Sequence, residues 1–290
     1  MTGMPLVWPA PAKLNLLLHI TGQRADGYHE LQTVFQFLEH GDELRFDSRS
    51  DGKIRRVRDV EGVPAEDDLV VRAARALQKN CANKQGVDIH LDKKLPMGAG
   101  LGGGSSDAAT TLHALNRIWG CGLRDDELAE IGLKLGADVP VFVHGFSAFA
   151  EGVGERLTPV ELDQPWYLVI TPDIHVSTAE IFGDLELTRD CPTIKIRGLA
   201  DSDWDNVCLP VVVKHYPEVA QALEILGQYA EARMSGTGAS VFAAFETEAE
   251  AKQVRASLRD AEKAGIPASW KDFIAKGVNT SPLQKRINSL

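Results

Sequence analysis

The sequence predicts an α+β protein built as two domains, on three observations. Runs with a two-residue apolar alternation mark strands, and capped runs with helical spacing mark helices. The two kinds interleave without the strict alternation of a parallel β-α-β sheet, which points to a two-layer α+β arrangement. A polar stretch at 152–164, containing Gly152, Gly154 and Pro159, separates two halves of ordinary domain size and places the domains at 1–155 and 156–290.

The elements are read in chain order. Residues 12–20 form a strand, with Leu14, Leu16 and Leu18 on one face and Lys13, Asn15, Leu17 and His19 on the other. Further strands are expected at 34–38, 43–47, 87–91, 141–143, 166–170 and 241–245. Asp67 and Asp68 precede a helical pattern through Leu77. Ser105, Ser106 and Asp107 open a helix whose stripe carries Ala108, Leu112, Leu115 and Trp119 and which Gly120 closes. Asp125 and Asp126 start a helix ending near Gly136, and Ser177 with Glu180 suggests a capping box. Pro217 starts a helix at 217–229 and Thr247 a charged one at 247–263. Residues 265–290 are polar and weakly patterned and read as a short irregular tail.

Composition narrows the function class. The chain has 290 residues, with 31 Lys and Arg against 41 Asp and Glu, a net charge of -10. That balance argues against nucleic acid or an anionic membrane as partner, while a phosphorylated small molecule stays open because a site answers to its local field. No apolar run approaches the roughly 18 residues of a membrane helix, and 1–15 lacks a signal-peptide pattern, so a cytoplasmic protein is expected. The four cysteines, Cys81, Cys121, Cys191 and Cys208, show no Cys-x-x-Cys spacing; reduced thiols are expected, with neither disulfide nor zinc site.

The strongest chemical signal is the run Pro96, Met97, Gly98, Ala99, Gly100, Leu101, Gly102, Gly103, Gly104, Ser105, Ser106, between a strand and a helix. Glycines let the backbone approach a ligand closely, and the N–H groups and dipole of the following helix favour an anion. The two serine hydroxyls add contacts for phosphate or Mg²⁺. Gly98-x-Gly100-x-x-Gly103 matches the dinucleotide pattern formally, but no acidic residue ends a second strand about 20 residues later. A Walker A loop needs Gly-Lys-Ser/Thr and 96–109 contains no lysine; a protein kinase needs His-Arg-Asp and Asp-Phe-Gly segments, which are absent. The loop must therefore hold phosphate through backbone and hydroxyls.

On these residues the chain resembles the GHMP kinases. The glycine run is similar to their phosphate loop. Pro11-Ala12-Lys13-Leu14-Asn15-Leu16 resembles their first motif, and Arg233 to Ser240, with Gly236, Thr237 and Gly238, their third. Within the family the chain most resembles the branch that acts on a cytidine diphosphate-linked methylerythritol in non-mevalonate isoprenoid synthesis. Arg24-x-Asp26-Gly27-Tyr28-His29-Glu30-Leu31 and Gly136-Ala137-Asp138-Val139-Pro140-Val141-Phe142 carry this, with Ala99 a conservative variation where glycine is also common.

The resemblance implies a two-domain fold with its site in the interdomain cleft, ATP and Mg²⁺ as cofactors, and phosphoryl transfer to the substrate's tertiary 2-hydroxyl. From the residues alone, Lys13 is either a solvated strand residue or a charge placed for chemistry, and Asp138 either a turn or capping residue or a functional carboxylate. The resemblance makes both catalytic, Lys13 stabilising anionic charge and Asp138 accepting a proton. It places ATP on 96–106 and 236–238. It also implies Tyr28 and Phe182 stacking on cytosine, His29 hydrogen-bonding it, and Asn15, Val153 and Thr178 completing the substrate wall. The Mg²⁺ ligands and oligomeric state stay open. The rival readings are a sugar or nucleotide sensor on the same fold, a dinucleotide-dependent oxidoreductase, and a GHMP kinase with another acceptor.

Overall fold

One long strand organises the sheet. In the computed structural model, which describes residues 6–25, 27–82, 84–201, 204–260 and 266–290, β1 (Trp8–Gln23) and β2 (His29–Arg49) form an antiparallel pair with Lys13 opposite Phe37 and Leu18 opposite Thr33. The register shifts between Pro11 and Lys13, between Asn15 and Leu17, and between Ile20 and Gly22. These bulges break the simple alternation expected of 12–20, and Leu14, Leu16, Leu17 and Leu18 are all buried. Asp26, part of the Arg24–Leu31 motif, lies outside the described residues.

The other strands are β3 (Ile54–Arg56), β4 (Gly86–Asp92), β5 (Ala148–Glu151), β6 (Arg156–Pro159), β7 (Trp166–Thr171), β8 (Ala232–Met234), β9 (Val241–Phe245) and β10 (Lys271–Val278). The sheet runs β3-β4-β2-β10-β7-β9-β8, with β1 and β5 also on β2 and β6 on β5. The helices are α1 (Leu69–Asn80), α2 (Gly103–Trp119), α3 (Asp125–Leu133), α4 (Val139–His144), α5 (Thr178–Gly183), α6 (Leu209–His215), α7 (Pro217–Gly227), α8 (Glu248–Arg259) and α9 (Pro282–Asn288). The class is α+β, as expected.

The core divides into three buried clusters. One packs α1, α2, α3 and α4 on β2 and β4, around Phe37, Leu77, Leu112 and Phe142. A second packs α6, α7 and α8 on β7 and β9, around Leu168, Val212, Leu226 and Val241. The third joins Leu14, Leu16 and Leu17 of β1 to Leu101, Tyr167 and Phe242, so the glycine loop is anchored by its own leucine.

Caps explain most helix boundaries. Asp68 accepts from the Val70 N–H, Ser177 from Glu180, and Thr247 with Glu250 closes a full capping box. Gly120 ends α2 in the left-handed conformation, its N–H meeting the Arg117 and Asn116 carbonyls. At Ser177 only the serine half of the expected box forms. The charged helix stops at Arg259, and 261–263 of its expected span lie outside the described residues.

Four expectations are corrected. Residues 34–38 and 43–47 belong to one strand. Between them Gly41 crosses the backbone of Ala10 and Pro11 where a side chain has no room, and buried Asp42 accepts the N–H groups of Lys94 and Leu95. Residues 141–143 are helical: Pro140 starts α4, Gly145 ends it, and burial of Val139 to Val143 on all sides erases any periodicity. The 265–290 tail holds β10, paired to β2 and β7, and α9, whose Leu283 is buried in the first cluster. Finally, Cys81 and Cys121 are joined as a disulfide, Cα atoms 5.0 Å apart, while Cys191 and Cys208 are free. The two sulfurs meet because each follows the C-terminus of one of two helices in the same buried cluster, a proximity that spacing does not reveal.

Candidate active site

Lys13 sits at the centre of the arrangement because β1 carries it inward, 3% exposed, beneath the glycine loop. Its backbone N–H donates to the Leu101 carbonyl at 3.0 Å, and its Nζ donates to the Gly100 carbonyl at 3.1 Å and to Asn15 Oδ1. The same Nζ stands 3.3 Å from Asp138 Oδ2 and 5.3 Å over the Phe35 ring. Asp138 occupies the N-cap position of α4, yet its carboxylate makes no capping bond; it turns to Lys13 and keeps 34% of its side chain exposed. The pair therefore joins a buried ammonium to a carboxylate that still reaches the cleft.

The glycine loop is stapled from behind. Ala99 accepts from the Ser240 N–H at 3.1 Å, and Gly100 accepts from Ser235 Oγ at 2.8 Å. Ser235 Oγ also accepts the Asn15 N–H, and Asn15 Nδ2 donates to Thr33 Oγ1 at 2.8 Å. Strand β1, the first glycine loop and the second thus form one hydrogen-bonded unit. Gly98, Gly100 and Gly102 all have positive φ, and a Cβ on Gly102 would stand 2.7 Å from the Phe142 ring. The first i→i−4 bond of α2 runs from Ser106 to Gly102, so the N–H groups of 103–105 have no such intrahelical partner.

A cleft of about 1060 Å³ spans the region. It is bordered by Lys13, Asn15 and Asp138, by Pro96 to Ser105, by Gly236 and Thr237, and by Tyr28, His29, Val153, Thr178 and Phe182. Ser106 and Gly238 do not line it. The Ser106 hydroxyl is fully buried with no hydrogen-bond partner among the described residues, and Gly238 faces Met234 and Val212. Of the two serines expected to offer hydroxyls to a ligand, Ser105 borders the cleft and Ser106 does not.

The nucleobase candidates are placed unevenly. The His29 and Phe182 rings stack at 5.2 Å and 24°, and Tyr28 is 63% exposed. Arg189 Nε donates to His29 Nε2 at 3.1 Å. Burial, and secondarily the Arg189 charge, hold the His29 imidazole below its ordinary value. Thr178 and Thr237 share a hydroxyl contact at 2.9 Å, tying α5 to the second loop.

Several cleft residues carry no local sequence signal. Lys93 lies outside the glycine run, yet its Nζ contacts Asp42 and, at 2.9 Å, Asp107 near the start of α2. Burial pulls the ammonium down, but Asp107 and Asp42 outweigh it and raise it above its ordinary value. Burial pushes the Asp107 carboxyl up to about 8. A lysine three residues before the glycine run thus lines the cleft, its ammonium paired to Asp42 and Asp107. Val60, Val63, Leu69 and Met97 add apolar lining to the cleft. The described residues contain no cluster of three or more His, Cys, Asp or Glu able to hold a metal, and no helix long and apolar enough to cross a membrane.

Comparisons with known proteins identify relatives of the chain. Residues 68–146 match the GHMP kinases N terminal domain and residues 195–264 the GHMP kinases C terminal domain. The 4-diphosphocytidyl-2-C-methyl-D-erythritol kinase of Pseudomonas aeruginosa (strain LESB58) is 56% identical over 97% of both chains. That of Pseudomonas savastanoi pv. phaseolicola is 56% identical over 100% of this chain and 98% of its own. A crystal structure of 4-(cytidine 5'-diphospho)-2C-methyl-D-erythritol kinase superposes with a TM-score of 0.78 at 30% identity, covering 94% of this chain and 99% of that one. A mevalonate kinase structure, TM-score 0.67 at 14% identity over 94% and 99% of the two chains, shares the fold.

Proposed function

This chain belongs to the GHMP kinase family, and we propose that its cleft transfers the γ-phosphoryl group of ATP to 4-diphosphocytidyl-2-C-methyl-D-erythritol. The product is the 2-phosphate and ADP, in non-mevalonate isoprenoid precursor synthesis. The single observation behind the chemistry is the Lys13–Asp138 contact at 3.3 Å, beside the carbonyl of Gly100 at the base of the glycine loop. We assign the triphosphate to the loop and the N–H groups opening α2, with Lys13 and Lys93 the cations beside them, and the adenine to the apolar residues that line the cleft with Met97. The second loop, through Gly236 and Thr237, closes the other side.

The acceptor is a tertiary alcohol, crowded and barely acidic. Positioning therefore contributes as much as proton acceptance. Asp138 takes the hydroxyl proton. Lys13, held by Asn15 and Gly100, fixes the carboxylate and offsets charge on the transferred group. A Mg²⁺ ion, when bound with ATP, would supply neutralisation of phosphate charge. Ser105 and Asp138 both border the cleft and are the side-chain oxygens that would be available to hold such an ion together with the phosphates and water. Cytosine lies against Tyr28 and Phe182 with His29 at its edge, and Asn15, Val153 and Thr178 border the rest of the substrate. A domain division near 155 and a cytoplasmic location belong to the same reading.

The test is incubation with ATP, Mg²⁺ and a panel comprising the cytidine diphosphate substrate, its uridine analogue, mevalonate, homoserine and galactose, followed by phosphorus NMR. The reading expects a new phosphomonoester on the cytidine compound and little on the others. Equal use of the uridine analogue, or transfer to another acceptor, would return the assignment to a GHMP kinase of different substrate.

A further inference from the structure

The guanidinium of Arg189 stands where the two walls of the base subsite meet. Its Nε donates to His29 Nε2 at 3.1 Å. Its Nη2 donates to the carbonyls of Phe182 at 2.9 Å and Asp184 at 2.7 Å, and its Nη1 to that of Leu187 at 3.0 Å. One planar cation thus ties an imidazole at the start of β2 to the peptide that carries the ring stacked on it. A lysine cannot do this, because its single ammonium does not present a fork of fixed donors.

The bond to Nε2 has a consequence for the proton on the ring. An N–H donor needs a lone pair, so Nε2 is unprotonated, the imidazole is neutral, and its one N–H is on Nδ1. Cytosine presents an acceptor at N3, whereas uracil presents N3–H; the O2 acceptor is common to both. An Nδ1–H donor therefore suits cytosine at N3. The opposite tautomer would turn Nδ1 into an acceptor and suit uracil.

We propose that Arg189 is a specificity-determining positioning residue: by occupying Nε2 it fixes His29 as an Nδ1–H donor and so selects a pyrimidine with an acceptor at N3. This rests on the cytidine reading above for its substrate, but the tautomer itself does not. Without Arg189 the ring is free to present either tautomer, and the penalty for a mismatched buried group falls away. Stacking on Phe182 and Tyr28 would persist, because it does not distinguish one base from another.

The experiment has two readouts. Long-range ¹H–¹⁵N spectra of the ligand-free protein report the His29 tautomer directly. The ratio of kcat/KM for the cytidine substrate to that for its uridine analogue reports selectivity, in the unmutated enzyme, Arg189→Met and Arg189→Lys. The proposal expects Nδ1–H with unprotonated Nε2 in the unmutated protein and loss of that fixed state in Arg189→Met. It expects the ratio to fall roughly tenfold to hundredfold, through KM for the cytidine form, with kcat nearly unchanged. Arg189→Lys should fail to restore it. An Nε2–H tautomer in the unmutated protein overturns the proposal whether or not either variant folds. A folded Arg189→Met enzyme with an unchanged ratio also overturns it, and leaves Arg189 a brace for the segment after α5. If the unmutated enzyme phosphorylates neither compound, the proposed function fails, and the selectivity role falls with it even if the spectra show Nδ1–H.

Discussion

Replacing Gly102 by alanine tests how tightly the phosphate loop is coupled to the catalytic lysine. Gly102 has φ +71°, a left-handed conformation that costs a residue with a Cβ about 1–2 kcal/mol. The new methyl would also stand 2.7 Å from Phe142 Cζ and 3.1 Å from Lys13 Cε. Phe142 is 1% exposed and packs edge-on against Phe37 at 5.5 Å, so its ring has little room to retreat, and overpacking of that kind costs about 1–3 kcal/mol. The total of about 2–5 kcal/mol corresponds to a melting temperature lower by roughly 4–10 °C. Calorimetry measures that loss, and turnover should fall with it because Lys13 is displaced from Asp138. Gly104→Ala is the control. Its Cβ would meet only Leu69 at an ordinary 3.4 Å, and its φ is not positive, so it should leave stability unchanged or raise it by about 0.4–1 kcal/mol. Equal melting temperatures for the two variants, to within about 1 °C, would refute the reasoning.

Three further predictions follow from other parts of the molecule. Tyr28→Ala should weaken cytidine and uridine substrates alike by about 1–3 kcal/mol each, read as KM; a loss confined to one base would show that Tyr28 reads an edge rather than offering a face. Leu283→Ala should lower unfolding free energy in urea by about 2–5 kcal/mol, since the side chain is 1% exposed, whereas a change within about 0.5 kcal/mol would mean that α9 does not belong to the core. Because burial and Arg189 lower His29, its neutral form persists below its ordinary value of 6.5, so KM for the cytidine substrate should stay flat through pH 6.5 and rise only at lower pH. A break at pH 6.5 would contradict a neutral, Arg189-bound imidazole.

What was legible in the sequence is what local chemistry writes. The glycine run and Gly120 bound α2, which begins at Gly103 inside the run rather than at the expected Ser105, with Gly102 as its N-cap and no side-chain cap. Asp68, Ser177 and Thr247 mark their helices because capping is a property of neighbouring residues. Misreadings arose where long-range packing decides. Val141 to Val143 is β-branched and apolar, but complete burial hides its helical period and Pro140 with Gly145 sets the turn. Gly41 and Asp42 look like a loop, yet they hold β2 against β1 and the backbone of Lys94 and Leu95. Charges at Lys271, Asp272 and Lys276 mask β10, whose neighbours on both sides are supplied by distant strands. In the site, family motifs pointed to Lys13, Asp138 and His29. Lys93 and Arg189 did not stand out, because nothing in their local spacing signals that they reach the start of α2 and the His29 ring.

Whether Lys13 and Asp138 act as one unit on the transferred phosphoryl group is decided by a double-mutant cycle in single-turnover kinetics, with Lys13→Met, Asp138→Asn and the combined variant. Asp138→Asn should lower the rate roughly 10²–10⁴-fold, with little change in KM for either substrate. Because Nζ lies 3.3 Å from the carboxylate, removing either partner should disable the other, and the combined variant should be no slower than the worse single one. Losses that multiply, or an Asp138→Asn enzyme that keeps its rate and loses only affinity, would show that the two residues work independently and that Asp138 is a binding or turn residue.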